Sequence, residues 1–110
     1  MAIHKTDQFS VTDQQMSALA KAMSHPARIT ILRILSERQR MTCGEIVDQL
    51  PLAQATVSHH LKDLVDVSLL NLIHEGKKSL YELNWRTWES FTNEFNFLLS
   101  LLNNEGKHAH

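Results

Sequence analysis

The chain has one cysteine, three glycines, two prolines and few aromatic residues among its 110 residues. The lone thiol, Cys43, excludes an internal disulfide framework and fits a reducing compartment. Glycine is too sparse for a phosphate-cradling loop, and no histidine lies near Cys43 in a plausible nucleophile arrangement. An enzyme is therefore not expected, and neither is a cofactor. No stretch approaches 18 apolar residues, so no membrane-spanning helix is expected. The first residues, MAIHKTDQFS, lack the apolar run of a signal segment. Net charge is −1, which supplies no basic field for nucleic acid. The expectation is one soluble cytoplasmic domain over 1–110, with its core at about 12–102 and loose ends.

The charge that is present is uneven. Residues 1–40 carry six Lys/Arg against three acids, and residues 41–110 carry five against nine. Affinity for a polyanion must come from local placement.

One stretch organises the rest. In Gln54–Val67, the residues Val57, Leu61, Leu64 and Val65 recur at helical spacing and make one apolar stripe. The opposite side carries Ala55, His59, Lys62 and Asp66, flanked by Thr56 and Ser58. Short hydrogen-bonding side chains on a helix face suit the DNA major groove, where base edges display donors, acceptors and methyl groups. A solvated surface helix fits the same pattern, so the flanking elements decide.

Met16, Leu19, Ala20 and Met23 predict a first helix from about Thr12, with Thr12 or Asp13 as cap. Ser24 then caps a second helix at about 26–37, which starts on Pro26. Ile29, Ile31, Leu32, Ile34 and Leu35 make that helix apolar on most of its surface, so it is central, and Arg28 and Arg33 need its solvent side. Thr42-Cys43-Gly44-Glu45 has capping-box spacing and opens a short third helix, which Pro51 stops. A short helix, a tight turn and a second amphipathic helix make a helix-turn-helix pattern. Ala53 stands where a capping Ser or Asp is usual.

After Leu70 the period changes to two. Leu70, Leu72 and His74 alternate with Asn71 and Ile73, Glu75-Gly76-Lys77-Lys78 reads as a turn, and alternation resumes from Ser79 to Leu83. This is a hairpin with two lysines at its tip, placed to meet phosphate. Trp85, Trp88, Phe91, Phe95, Leu98 and Leu102 predict a terminal helix over about 85–102, widened by Phe97, Leu99 and Leu101 and ended by Asn103-Asn104-Glu105-Gly106. The expected fold class is mainly α with a small β-hairpin wing, a winged helix-turn-helix of order α-α-α-α-β-β-α.

With that order in hand, the chain resembles the ArsR/SmtB family of bacterial winged-helix repressors. The residues that carry the resemblance are Leu19-Ala-Lys-Ala-Met-Ser-His-Pro-Ala-Arg-Ile29, Gly44-Glu-Ile46, Ala55-Thr-Val-Ser-His-His-Leu-Lys-Asp-Leu64, Glu75-Gly-Lys-Lys78 and Tyr81-Glu-Leu83. The resemblance covers about residues 12–102. It implies a homodimer that binds double-stranded operator DNA, represses, and is released by an effector that the sequence does not identify. The family often has glycine where this chain has Ser68. Its paired cysteines at the third helix match Thr42 and Gly44, and its terminal-helix metal ligands fall roughly at Trp85, Thr87, Leu98 and Leu101. None of these can ligate a metal, so no metal is expected.

The expected DNA-binding residues are Gln54, Thr56, Ser58, His59 and Lys62 on the helix 54–67, with Lys77 and Lys78 on the wing 75–78. His60 lies at the stripe edge and His25 is read as structural. This face looks poorly basic, because Asp63, Asp66, Glu75 and Glu82 oppose the three lysines. The expected dimer interface is Met16, Leu19 and Met23 of the first helix with Trp88, Phe91, Phe95, Leu98 and Leu102 of the last. The leading function is a dimeric, metal-independent repressor on an inverted-repeat operator. The alternatives are a derepressor that senses through Cys43, whose place in a first turn could lower its pKa, or through a metal held by His4, His108 and His110, and a winged-helix protein-interaction module.

Overall fold

The computed structural model describes the backbone of residues 8–108 and the side chains up to residue 104. Among the described residues, five helices and one hairpin follow in order: α1 (Val11–Ala22), α2 (Pro26–Arg38), α3 (Cys43–Val47), α4 (Gln54–Asp66), β1 (Leu70–Glu75), β2 (Lys78–Leu83) and α5 (Trp85–His108). This is the winged helix-turn-helix order that the periodicities predict.

Several boundaries have causes other than the expected ones. Ser10, not Thr12 or Asp13, caps α1, its hydroxyl accepting from the Asp13 amide at 3.0 Å. Ser24 does not cap α2; His25 holds that place without a side-chain bond, and Ser24 donates instead to the Lys21 carbonyl at 2.7 Å. Pro26 at the first helical position already lacks the amide that a cap serves. The capping box on α3 is complete: Thr42 Oγ1 accepts from the Glu45 amide, and Glu45 Oε1 accepts from the Thr42 amide at 2.9 Å. Those bonds hold the Glu45 carboxyl below its ordinary pKa.

Among the described residues, two that are not glycine have positive φ. Gln39, at φ 74° and ψ −65°, is the centre of a γ-turn closed by the Arg40 amide on the Arg38 carbonyl at 3.0 Å. That strained conformation turns the chain sharply out of α2. Met41 then pairs with Tyr81 of β2. Ser68, at φ 65°, follows α4. The Leu69 amide reaches the Leu64 carbonyl at 3.0 Å and the Ser68 amide reaches that of Val65 at 2.9 Å. This is a Schellman end, which favours glycine at the position Ser68 holds. The glycine usual in the resembling family has its physical reason here.

β1 and β2 are antiparallel and pair from Leu70↔Leu83 out to Glu75↔Lys78. The turn is therefore only Gly76-Lys77, and Lys78 lies in β2 rather than in a four-residue turn. Gly76 at φ 60° opens a two-residue turn of the II′ kind, where the first position needs glycine.

The core is built by Ala22, Ile31, Leu32, Leu35, Met41, Ile46, Val57, Leu61, Leu64, Leu69, Leu70 and Leu83. Every described element contributes to it except α5, whose Trp88 packs against its edge. The Trp88 indole donates to the Leu69 carbonyl at 3.1 Å, and Asn84 Oδ1 accepts from the Thr87 amide at 3.2 Å and starts α5. Leu70 is buried in the core, while Leu72 on the same face of β1 is 40% exposed. α5 does not end near Leu102 but continues to His108, through Gly106. Glycine weakens a helix without forbidding it.

Candidate nucleic-acid interface

α3, the turn at 48–53 and α4 form the unit that presents the site. The turn is closed by the Gln49 amide on the Ile46 carbonyl and the Leu50 amide on that of Val47. Ala53 enters α4 from extended backbone, with no side-chain bond to the first turn. The missing cap is as the sequence indicates, a loss of about 1 kcal/mol. Tertiary burial replaces it: Val57, Leu61 and Leu64 are completely buried. Burying one such side chain stabilises by about 1.5–3 kcal/mol.

With that stripe held inward, Gln54, Thr56, Ser58, His59 and Lys62 are all exposed. Lys77 and Lys78 are exposed on the hairpin. The seven residues expected at a DNA interface are thus all accessible, on one helix and on the tip of the wing.

The electrostatics depart from the sequence reading. Arg28 does not take the solvent side of α2: it is only 7% exposed and lies under α4. Its guanidinium donates to Asp63 through Nη2, to His60 Nδ1 through Nε at 3.0 Å, and to the Ala22 carbonyl through Nη1 at 3.1 Å. Five N–H donors in a fixed fork allow one side chain to bind an acid, an imidazole and a helix end together. His59 Nε2 lies 3.4 Å from the same Asp63 Oδ2. Lys62 pairs with Asp66 at 2.9 Å, one helical turn on, and that bond raises its pKa. Arg40 pairs with Glu82 at 3.0 Å and with Glu75 at 3.6 Å, and Asn71 donates to Glu82 at 3.2 Å.

All four acids counted against this face are therefore paired. Three are held by arginines from outside it, Asp63 by Arg28 and both Glu75 and Glu82 by Arg40, and Asp66 is held by Lys62. Those arginines were the signal that sequence reasoning missed. Lys77 and Lys78 carry the wing's positive charge.

His60 packs between α2 and α4. Its ring centroid is 5.5 Å from that of His25 and 6.2 Å from that of His59. Burial first, then the charges of Arg28, His25 and His59, push its pKa below the ordinary imidazole value against the pull of Asp63.

Cys43 is half-buried, and burial pushes its thiol pKa up. The lowering that a first-turn place could give is not found, and less of this thiol is thiolate at neutral pH than in an ordinary cysteine. Among the described residues no group of three His, Cys, Asp or Glu side chains is placed to hold a metal. His4 and His110 lie outside the described residues, and the His108 side chain is likewise not described.

A second surface is apolar. Leu19, Met23 and Trp88 are half-buried against the chain's own core. Met16 and Phe91 line a cleft between α1 and α5 with Ala20, Phe95, Leu98 and Leu101. Phe95, Phe97, Leu98, Leu99, Leu101 and Leu102 are 39–63% exposed along α5. Phe91 stacks on Phe95 with ring centroids 5.8 Å apart.

Known proteins are similar to this chain in sequence and in fold. The family described as helix-turn-helix domain matches residues 23–73. The chain is 35% identical over 71 residues to the arsenical resistance operon repressor of Staphylococcus xylosus, covering 64% of this chain and 67% of that protein. It is 33% identical over 76 residues to the HTH-type transcriptional regulator YgaV of Escherichia coli (strain K12), covering 69% and 77%. The solved structure of an ArsR-like transcriptional regulator from Rhodococcus sp. RHA1 superposes with a TM-score of 0.78 over 91% of this chain and 93% of that one, at 16% identity, which supports the fold.

Proposed function

The chain belongs to the ArsR family of winged helix-turn-helix transcriptional repressors, and from that premise we propose that it represses as a homodimer on an inverted-repeat operator. It is a DNA-binding regulator and not an enzyme. In our reading α4 is the recognition helix. The observation that carries this is the exposed row Gln54, Thr56, Ser58, His59 and Lys62 on a helix whose other side is fully buried. The start of such a helix is where helix-turn-helix proteins touch base edges. Lys77 and Lys78 then take phosphate beside it.

The dimer rests on α5. Six large apolar side chains exposed along one helix, beside a cleft against α1, make a patch that a lone soluble domain rarely leaves bare. A two-fold pairing through α1 and α5 covers it with the same patch of a second copy. Two recognition helices then face half-sites one helical turn apart, or a multiple of it.

We read the repression as metal-independent. A soft-metal site needs two or more thiolates, and Cys43 is the one thiol in the chain. The arsenical resistance named for the Staphylococcus relative is therefore not carried over to this protein. No helix among the described residues is long and apolar enough to cross a membrane. The expected place of action is the cytoplasm, where the operator is.

The test is selection of duplexes by the full chain from a random library, followed by footprinting. An enriched inverted repeat with two protected half-sites is the expected result. Enrichment of no duplex at all overturns the reading.

A further inference from the structure

His60 is not on the face that would read DNA, yet it sits where that face is anchored. Its Nδ1 accepts a hydrogen bond from Arg28 Nε at 3.0 Å. Arginine offers only donors and does not give up its charge. The bond therefore exists only while Nδ1 is bare. A proton there would set two donors and two positive charges against each other at the α2–α4 contact.

The surroundings offer that proton little compensation beyond the pull of Asp63. From α2 and its cap come Arg28 and His25, whose ring centroid is 5.5 Å away. From α4 come His59, at 6.2 Å between ring centroids, and Asp63. Asp63 is already held by Arg28 and lies 3.4 Å from His59. α1 supplies only the Ala22 carbonyl, which Arg28 occupies. Among the described residues the ring faces two other histidines, one arginine and a single acid that is committed elsewhere.

We propose that His60 is a positioning residue for DNA recognition, whose bare Nδ1 latches α4 onto α2, so that DNA is released when His60 takes up a proton. This rests on the reading of α4 as the recognition helix. His59 is its chain neighbour on the exposed face, and Thr56 is one turn earlier. A ring driven away from Arg28 moves both. Burial and the neighbouring charges, which lower the His60 pKa, place the release on the acid side of the ordinary imidazole range.

Acidification charges histidines, and added positive charge by itself tightens DNA binding. The latch requires the reverse. The experiment uses the duplex that the full wild-type chain selects at about pH 7.5 from a random library, with binding measured at fixed salt down to about pH 5.5. Wild-type affinity should fall by about tenfold or more across that range. His60→Asn places an amide oxygen that accepts from Arg28 and does not titrate. It should bind at about pH 7.5 within roughly threefold of wild type and lose little on acidification. His25→Asn and His59→Asn should keep the fall. A wild-type profile that is flat or rises as pH drops overturns the proposal, as does an equal fall in His60→Asn. If His60→Asn does not fold, ring NMR of wild type decides: His60 must protonate in step with DNA release, and protonation without release overturns the latch. Selection of no duplex at any pH removes the recognition-helix reading and this inference with it, whereas a flat profile on a selected duplex removes this inference alone.

Discussion

Arg28 of α2 and Asp63 of α4, 35 residues apart in the chain, form a part-buried ion pair that ties the candidate recognition helix to the centre of the fold. The Asp63 side chain keeps 33% exposure, so water screens part of the attraction. Removing either partner leaves the other without its countercharge. Arg28→Met and Asp63→Ala should each destabilise by about 2–3 kcal/mol. The double variant should lose clearly less than the sum, by about 1 kcal/mol or more. Denaturant unfolding of the four proteins checks this, and simple additivity would contradict the pairing.

The Ser68 conformation predicts a stabilising substitution. Its φ of 65° is strained for an L side chain. Ser68→Gly relieves that strain, while the freer unfolded chain takes part of the gain back. The expected result is a gain of up to about 1 kcal/mol with no change in secondary structure. Ser68→Val should lose at least as much. Thermal unfolding of the three proteins decides it, and a Ser68→Gly variant less stable than wild type would count against the Schellman geometry.

Stability should rise with pH through the weakly acidic range. The folded-state pKa of His60 is lowered, so the unfolded chain binds its proton first as pH falls. The stabilisation is fully present above the unfolded value of about 6.5 and is lost as pH falls through the folded value. His60→Asn should remove that part of the slope. Denaturation midpoints at several pH values measure it. An unchanged slope in the variant would show that His60 is not its source.

Short-range features of the fold are legible in the residues alone. The α4 stripe of Val57, Leu61 and Leu64, the Thr42–Glu45 capping box and the missing cap at Ala53 follow from spacing within one turn or two, and all three hold in the structure. Arg28 did not follow. Helix periodicity assigns a charged residue to the solvent side of α2, but the partner that makes burial tolerable is Asp63, on another helix. The same long-range pairing hid the neutralisation of Glu75 and Glu82, since Arg40 reaches them from the turn after α2. The end of α5 escaped for a different reason. Asn103 to Gly106 reads as a stop, yet weak helix formers lower the stability of a helix without forbidding it to continue.

The apolar face of α5 predicts a dimer. Leu98→Glu or Phe95→Asp places a charge in the proposed seam, where an unpaired charge costs several kcal/mol. Sedimentation should give wild-type dimer and variant monomer. Both side chains are about two-fifths exposed in the single chain, so each variant should keep its helical circular dichroism. Wild-type monomer at about 10 µM would contradict the seam, because interfaces of this apolar kind are normally stable at that concentration.

In the proposed complex α4 reads bases while the wing holds phosphate. Binding of wild type, Gln54→Ala, His59→Ala and Lys77→Ala to the selected operator and to a scrambled duplex, across a salt series, tests it most directly. Gln54→Ala and His59→Ala should lower the operator preference by about 1–3 kcal/mol each for a good base contact. Lys77→Ala should weaken both duplexes alike and flatten the salt dependence by roughly one unit of slope per protomer. If Lys77→Ala changes specificity while Gln54→Ala and His59→Ala change neither affinity nor specificity, α4 is not the reading helix.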